Sequence, residues 1–334
     1  MKRSRLLAAA GAGCLIAGLM PAVASATDTD LTPGEVIAAV QEVAAQPNTG
    51  PIETAETFAV TSDDTLVLES DRTQVSIDLG ESPIIELTSD LYEPLYIEGG
   101  LSDAVSTEPD GAVVFSTEDS YSVAPLPYED GSVQLINVLA DSSAPERFEY
   151  SFSSSTPVSI SLHEGMAVIV DAEGNYVGGV TAPWAYDSVG AAVPTHFEVD
   201  GNTLVQVVEH AAGNYSYPVT ADPYAGQMLF QWATIDTYNG DKRVNLQPTN
   251  YGRGVVPWVM TGAGWSEAMG WGQPYPIGPT LGSKATLRQQ FDCHAFGNAF
   301  AGVWNLERFR PNRTTDWPTG VAIHRCNWTS ADRY

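Results

Sequence analysis

Apolar residues in this chain follow a helical period only briefly near its start. Val36, Ile37, Val40, Val43 and Ala44 fall on one helical stripe. Thr32 is placed to cap that helix, Pro33 fits its first position and Glu35 completes a capping box, while Pro47 ends it. Beyond Gly50 the period shortens to two. Runs such as 65–69, 74–79, 167–170, 176–177, 197–199 and 204–208 alternate with Asp, Asn and Gly turns. Strands at this spacing predict an antiparallel β-sandwich or open barrel. After residue 224 the pattern mixes. Residues 228–235 read as a strand, 285–296 as a short helix and 320–326 as a closing strand, predicting a small α+β module. The whole reads as mainly β: a sandwich-like module over 51–223, preceded by a helical segment at 27–50 and followed by a C-terminal module at 224–334.

Charge sharpens the boundary. The formal net charge is -26, but residues 27–223 hold 34 acidic and two basic side chains, Arg72 and Arg147. Residues 224–334 hold seven acidic and ten basic ones, and seven of the eight tryptophans. Two composition shifts at Asp222-Pro223 argue for a module boundary there. So acidic a section repels nucleic acid and anionic lipid, which excludes both as its partners.

The first 26 residues read as an export signal. Lys2, Arg3 and Arg5 precede an apolar stretch, and Ala24-Ser25-Ala26 forms a small-x-small cleavage site, so the mature chain is expected to start at Thr27, secreted and extracellular. A lipid anchor on Cys14 would need a large aliphatic residue where Gly11 stands. No later stretch approaches the ~20 apolar residues of a bilayer span. Export leaves Cys293 and Cys326, which in an oxidising compartment are expected to form a disulfide. Closing that loop is worth about 3.5–4 kcal/mol on the chain-entropy estimate.

Two stretches carry resemblances. Residues 182–185, 193–199 and 201–210, closing with Tyr217-Pro218-Val219-Thr220-Ala221-Asp222-Pro223, resemble the end of an all-β module found in secreted actinobacterial proteins ahead of varied C-terminal modules. That resemblance implies a scaffold or presentation role. Gln289-Gln290-Phe291-Asp292-Cys293-His294, Trp304-Asn305-Leu306-Glu307-Arg308-Phe309-Arg310-Pro311 and His324-Arg325-Cys326-Asn327 resemble a secreted actinobacterial domain family of unknown function. It implies a small, disulfide-closed extracellular module and carries no catalytic residues over.

Candidate chemistry concentrates in the tail. On a closing strand His324 and Cys326 share a face, and His294 follows the partner cysteine. The bridge would hold two histidines near Glu307 and Arg308, with Arg310 and Arg325 close by: a general acid–base pair with arginines for an oxyanion or phosphate, as in a small hydrolase or toxin-like effector. The competing reading makes each histidine a structural residue beside the disulfide, and it is preferred. Tryptophans offer a binding function instead, by stacking on sugar rings of the cell wall or contacting another extracellular protein. Most of Trp232, Trp304 and Trp328 are expected in the core; Trp265, Trp271 and Trp317, beside turn residues, are the candidate ligand-binding surface. Asp171, Glu173 and Asn175 have a calcium-loop start without its later ligands and read as a hairpin turn. Gly264-Trp265-Ser266-Glu267-Ala268 resembles a nucleophile elbow without its final glycine. No cofactor motif and no metal-ligand spacing is present, and the three Asn-x-Ser/Thr matches at Asn214, Asn312 and Asn327 read as chance. The expectation is a secreted binding protein, with the histidine-pair hydrolase as its alternative.

Overall fold

The computed structural model describes residues 31–61, 65–102, 104–109, 111–272, 276–297 and 302–314, with Cys326 and Trp328. The export segment, Trp317, His324 and the closing strand expected at 320–326, apart from Cys326, lie outside the described residues. The fold is mainly β: an antiparallel sandwich followed by a small α+β module closed by a disulfide.

One sandwich sheet runs, in spatial order, through 59–60, 65–69, 73–78, 84–89, 95–98, 147–154, 203–208 and 195–200. The other runs through 158–163, 166–171, 176–180, 224–226, 133–139, 121–127, 113–116 and 105–107, with 185–187 and 219–221 attached beside it. Inward residues of both, among them Val75, Ile85, Leu95, Phe115, Leu135 and Ile169, form the main core. The second sheet is also covered on its outer face. Ile136 and Val138 pack under the helix Pro33–Val43, while Met166 and Val168 pack under the C-terminal module. Strand Val133–Leu139 is therefore buried at every position. The capping box on Thr32 and Glu35 forms as expected.

The C-terminal module holds strands Phe230–Tyr238, Asp241–Pro248 and Trp304–Glu307 in one sheet, packed with the helix Ala285–Phe296. The composition change at 223/224 falls inside the sandwich: Tyr224–Gly226 pairs with Gln134 and Val133 on one side and Gly179 and Val180 on the other. The two modules share a hydrophobic cluster rather than a linker.

Its centre is Tyr251, fully buried in the helix Asn250–Gly254. Its ring lies where a side chain at Gly226 would stand, since a Cβ there would come within 2.5 Å of its Cγ. At Gly179 a Cβ would lie 2.5 Å from the Ala167 carbonyl and 2.9 Å from the Tyr251 hydroxyl. Glycine inside a strand marks such close approach. The hydroxyls of Tyr251 and Tyr176 share a 2.7 Å hydrogen bond. Asp130, from the sandwich, accepts the backbone N–H groups of Asn250 at 3.1 Å and Tyr251 at 3.5 Å.

One tryptophan expectation is corrected, the surface placement of Trp271, and Trp232 is the exception among the three expected mostly in the core. Trp232 is exposed, at 38%. A bulge between Phe230 and Trp232 shifts the pairing, leaving Phe230 and Ala233 inside and turning Trp232 out. Trp271 is buried in the apolar cluster of the junction, with the Arg72 guanidinium over its ring at 3.8 Å from the centroid. Trp304 and Trp328 are core residues as expected. Among the described residues no helix is long and apolar enough to cross a membrane.

The seating of Tyr251 yields a graded prediction. In urea unfolding of the oxidised chain, Tyr251→Ala should cost about 3–5 kcal/mol, as buried aromatic truncations do. Tyr251→Phe, losing only the hydroxyl partner, should cost about 1 kcal/mol. Equal losses from both would contradict this packing.

Candidate functional site

The modules meet around a cleft of about 820 Å³. Its sandwich wall comes from two turns. After strand Ile84–Ser89, the Tyr92 N–H donates to Ser89 Oγ at 3.1 Å, fixing the turn that carries Asp90, Tyr92 and Glu93. Between Met166–Asp171 and Tyr176–Val180, the Asp171 carboxylate accepts the backbone N–H groups of Glu173 and Asn175 at 2.9 and 2.8 Å and the Asn175 amide at 2.9 Å. These bonds, led by the Asn175 amide and opposed by desolvation, hold its pKa below the usual carboxylate value, so it stays anionic. The calcium-like spacing is thus a hairpin turn that borders the cleft. Rings of Tyr92 and Tyr176 meet edge to face, 5.7 Å between centroids.

The opposite wall is helical. Pro257–Val259 runs into a π-helical turn at Met260–Gly264 and on into Trp265–Gly270. π-turns widen the helix locally and recur at functional sites. Trp258 stands on the rim, 44% exposed, with the His163 ring edge-on at 4.5 Å. His163 Nε2 lies 3.0 Å from Ser161 Oγ, and Ser161 lines the cleft. The segment resembling a nucleophile elbow is continuous helix, which excludes the strand–turn–helix geometry an elbow needs. Ser266 and Glu267 both line the cleft, Glu267 as a buried residue.

Glu267 ties the walls together. It accepts the backbone N–H groups of Leu229 and Phe230 and the Tyr92 hydroxyl, each at 2.8 Å. Burial pushes its carboxyl up to about 7 against the pull of those donors. Asp222, on the far side of the junction, accepts the Trp184 backbone N–H at 2.9 Å and the Gln134 side-chain amide at 3.2 Å, and burial pushes it up to about 7 as well. Arg72 adds the last tie: two 2.8 Å hydrogen bonds to Asp90 and its guanidinium over Trp271.

The residues expected to act by acid–base chemistry have structural partners. The disulfide joins Cys293 and Cys326, 5.3 Å between Cα atoms. The His294 ring stacks on Trp304, 5.6 Å between centroids and 16° from parallel. Glu307 is buried and ion-paired with Arg310, and its backbone is held by Gln290. Arg308 binds Asp241 and Ser283 instead. Trp265 is half-buried, edge-on to Phe291 and beneath Arg288, outside the lining of the cleft. Trp258 was absent from the sequence-derived candidates, since seven tail tryptophans share one composition and only the helix geometry tells its exposure. Among the described residues, no group of three His, Cys, Asp or Glu side chains could hold a metal ion.

The raised carboxyls set the direction of pH dependence. Folded, Glu267 and Asp222 hold protons more tightly than ordinary carboxyls, so their stabilising contribution is complete below about 4 and lost as the pH rises through about 7. The thermal midpoint should therefore be several degrees higher near pH ~5 than near pH ~8. Glu267→Gln should flatten that dependence in differential scanning fluorimetry; an unchanged slope would contradict the assignment.

No family model matches the chain, and no curated protein matches it.

Proposed function

We propose that the protein is exported and acts outside the cell as a binding protein, holding a cell-envelope glycan in the cleft between its modules. The observation that carries this reading is Trp258: a large ring 44% exposed on a cleft that Tyr92 and Tyr176 also line. Exposed aromatic faces pack on the apolar faces of sugar rings, and Ser161, Asn175 and Ser266 bring hydrogen-bonding groups around them. The disulfide agrees with an oxidising compartment. Relative to the tail-only surface expected from sequence, the site moves to the junction, so the acidic module contributes to binding as well as carrying the tail.

A hydrolytic reading has one observation behind it, the Ser161–His163 pair at 3.0 Å on the same cleft. It ranks below binding because, among the described residues, no carboxylate contacts the His163 ring to orient it.

The test is co-sedimentation of the oxidised, intact protein with purified peptidoglycan. Wild type should pellet, and Trp258→Ala should weaken binding about tenfold or more, the usual cost of truncating an anchoring tryptophan. His294→Ala should pellet normally. Failure of wild type to pellet, or full binding by Trp258→Ala, would overturn the glycan cleft. Release of soluble fragments that Ser161→Ala abolishes would favour the hydrolase.

A further inference from the structure

The cleft joins aromatic faces to carboxylates and includes no lysine or arginine in its lining. Tyr92, Tyr176 and Trp258 present rings; Glu93 and Asp171 present carboxylates at the mouth. Asp90 also borders the cleft, but its charge is matched by Arg72, which faces Trp271 and the other side of the junction. Glu93 and Asp171 have no such basic partner among the described ion pairs. The donors that Asp171 does meet, from Glu173 and Asn175 of its own turn, are neutral and leave its charge unmatched. Behind the Tyr92 ring stands the Glu267 carboxyl, bonded to the Tyr92 hydroxyl. Residues 27–223 hold 34 acidic side chains against two basic ones, so their field adds to the local one.

A neutral sugar needs none of this charge. A ring face attracts a cation through its quadrupole, and a carboxylate at the same mouth adds a charge-assisted hydrogen bond. We propose that the ligand group seated in this cleft is a protonated primary amine, carried by an amino sugar without its acetyl group or by the side chain of a wall peptide. The proposal rests on the envelope-binding reading and narrows it. It assigns Glu93 and Asp171 as the ammonium acceptors and Trp258 as the ring that covers it.

The intact, oxidised protein is titrated with a glucosamine tetramer, the matching N-acetylglucosamine tetramer and trilysine, following tryptophan fluorescence and calorimetric heat. The glucosamine tetramer or trilysine should bind at least about tenfold more tightly than the acetylated tetramer. Raising the salt concentration should weaken the amine complex and leave any acetylated complex unchanged. Preference between the two amines separates a sugar source from a peptide source. Glu93→Gln should lower amine affinity severalfold, and Asp171→Asn serves as the second variant, with circular dichroism confirming that both fold. Equal affinity for both tetramers overturns the amine while leaving the glycan reading intact. Unchanged amine affinity in both folded variants overturns the assigned acceptors. Loss of all three ligands by a wild type that still pellets with peptidoglycan overturns the amine alone.

Discussion

Tyr251 resting on the bare backbone of Gly226 and Gly179 is the contact on which the architecture depends. Without side chains at those two strand positions, the C-terminal module approaches the sandwich to backbone distance. A strand from residues 224–226 then enters the sandwich sheet, and the apolar cluster closes across the junction. Asp130 and Glu267 follow from the same approach. Each satisfies backbone N–H groups that the close fit removes from water, and a buried N–H left unpaired is costly. The result is a tail held in fixed orientation, and that fixed orientation is what gives the cleft two walls.

Electrostatics are arranged around this junction. Of the two basic residues in the acidic module, Arg147 makes an exposed pair with Glu198, of the kind worth little. Arg72 is placed where the modules meet, against Asp90 and Trp271. A cation at that point fixes the wall next to the cleft without entering it. Most of the acidic charge elsewhere in residues 27–223 has no basic counterpart in that stretch, which on the proposed reading favours cationic ligands over anionic ones.

Local features were legible in the sequence. The capping box at Thr32 and Glu35, the helix Ala285–Phe296 and the Cys293–Cys326 pair depend on residues whose meaning is set by near neighbours or by compartment chemistry. Features made by long-range contact were not. Trp271 sits among glycines that signal a turn, yet the turn returns its ring beneath Arg72, a residue of the distant sandwich sequence. Trp232 falls on the inner phase of its strand until one bulge reverses it. The junction itself left a readable trace: Gly178-Gly179 inside a β-run, where bare backbone is expensive unless something lies against it. Composition divides the chain at residue 223 because charge marks the modules, whereas the backbone pairing runs straight through that point.

The central claim is that both modules contact the ligand. Hydrogen exchange of the intact, oxidised protein, followed by mass spectrometry with and without soluble wall fragments, tests it most directly. The account predicts added protection in the turn at Asp171–Tyr176 and in the helical run at Trp258–Gly270 together. Protection confined to one wall, or located only around His294 and Glu307, would contradict it.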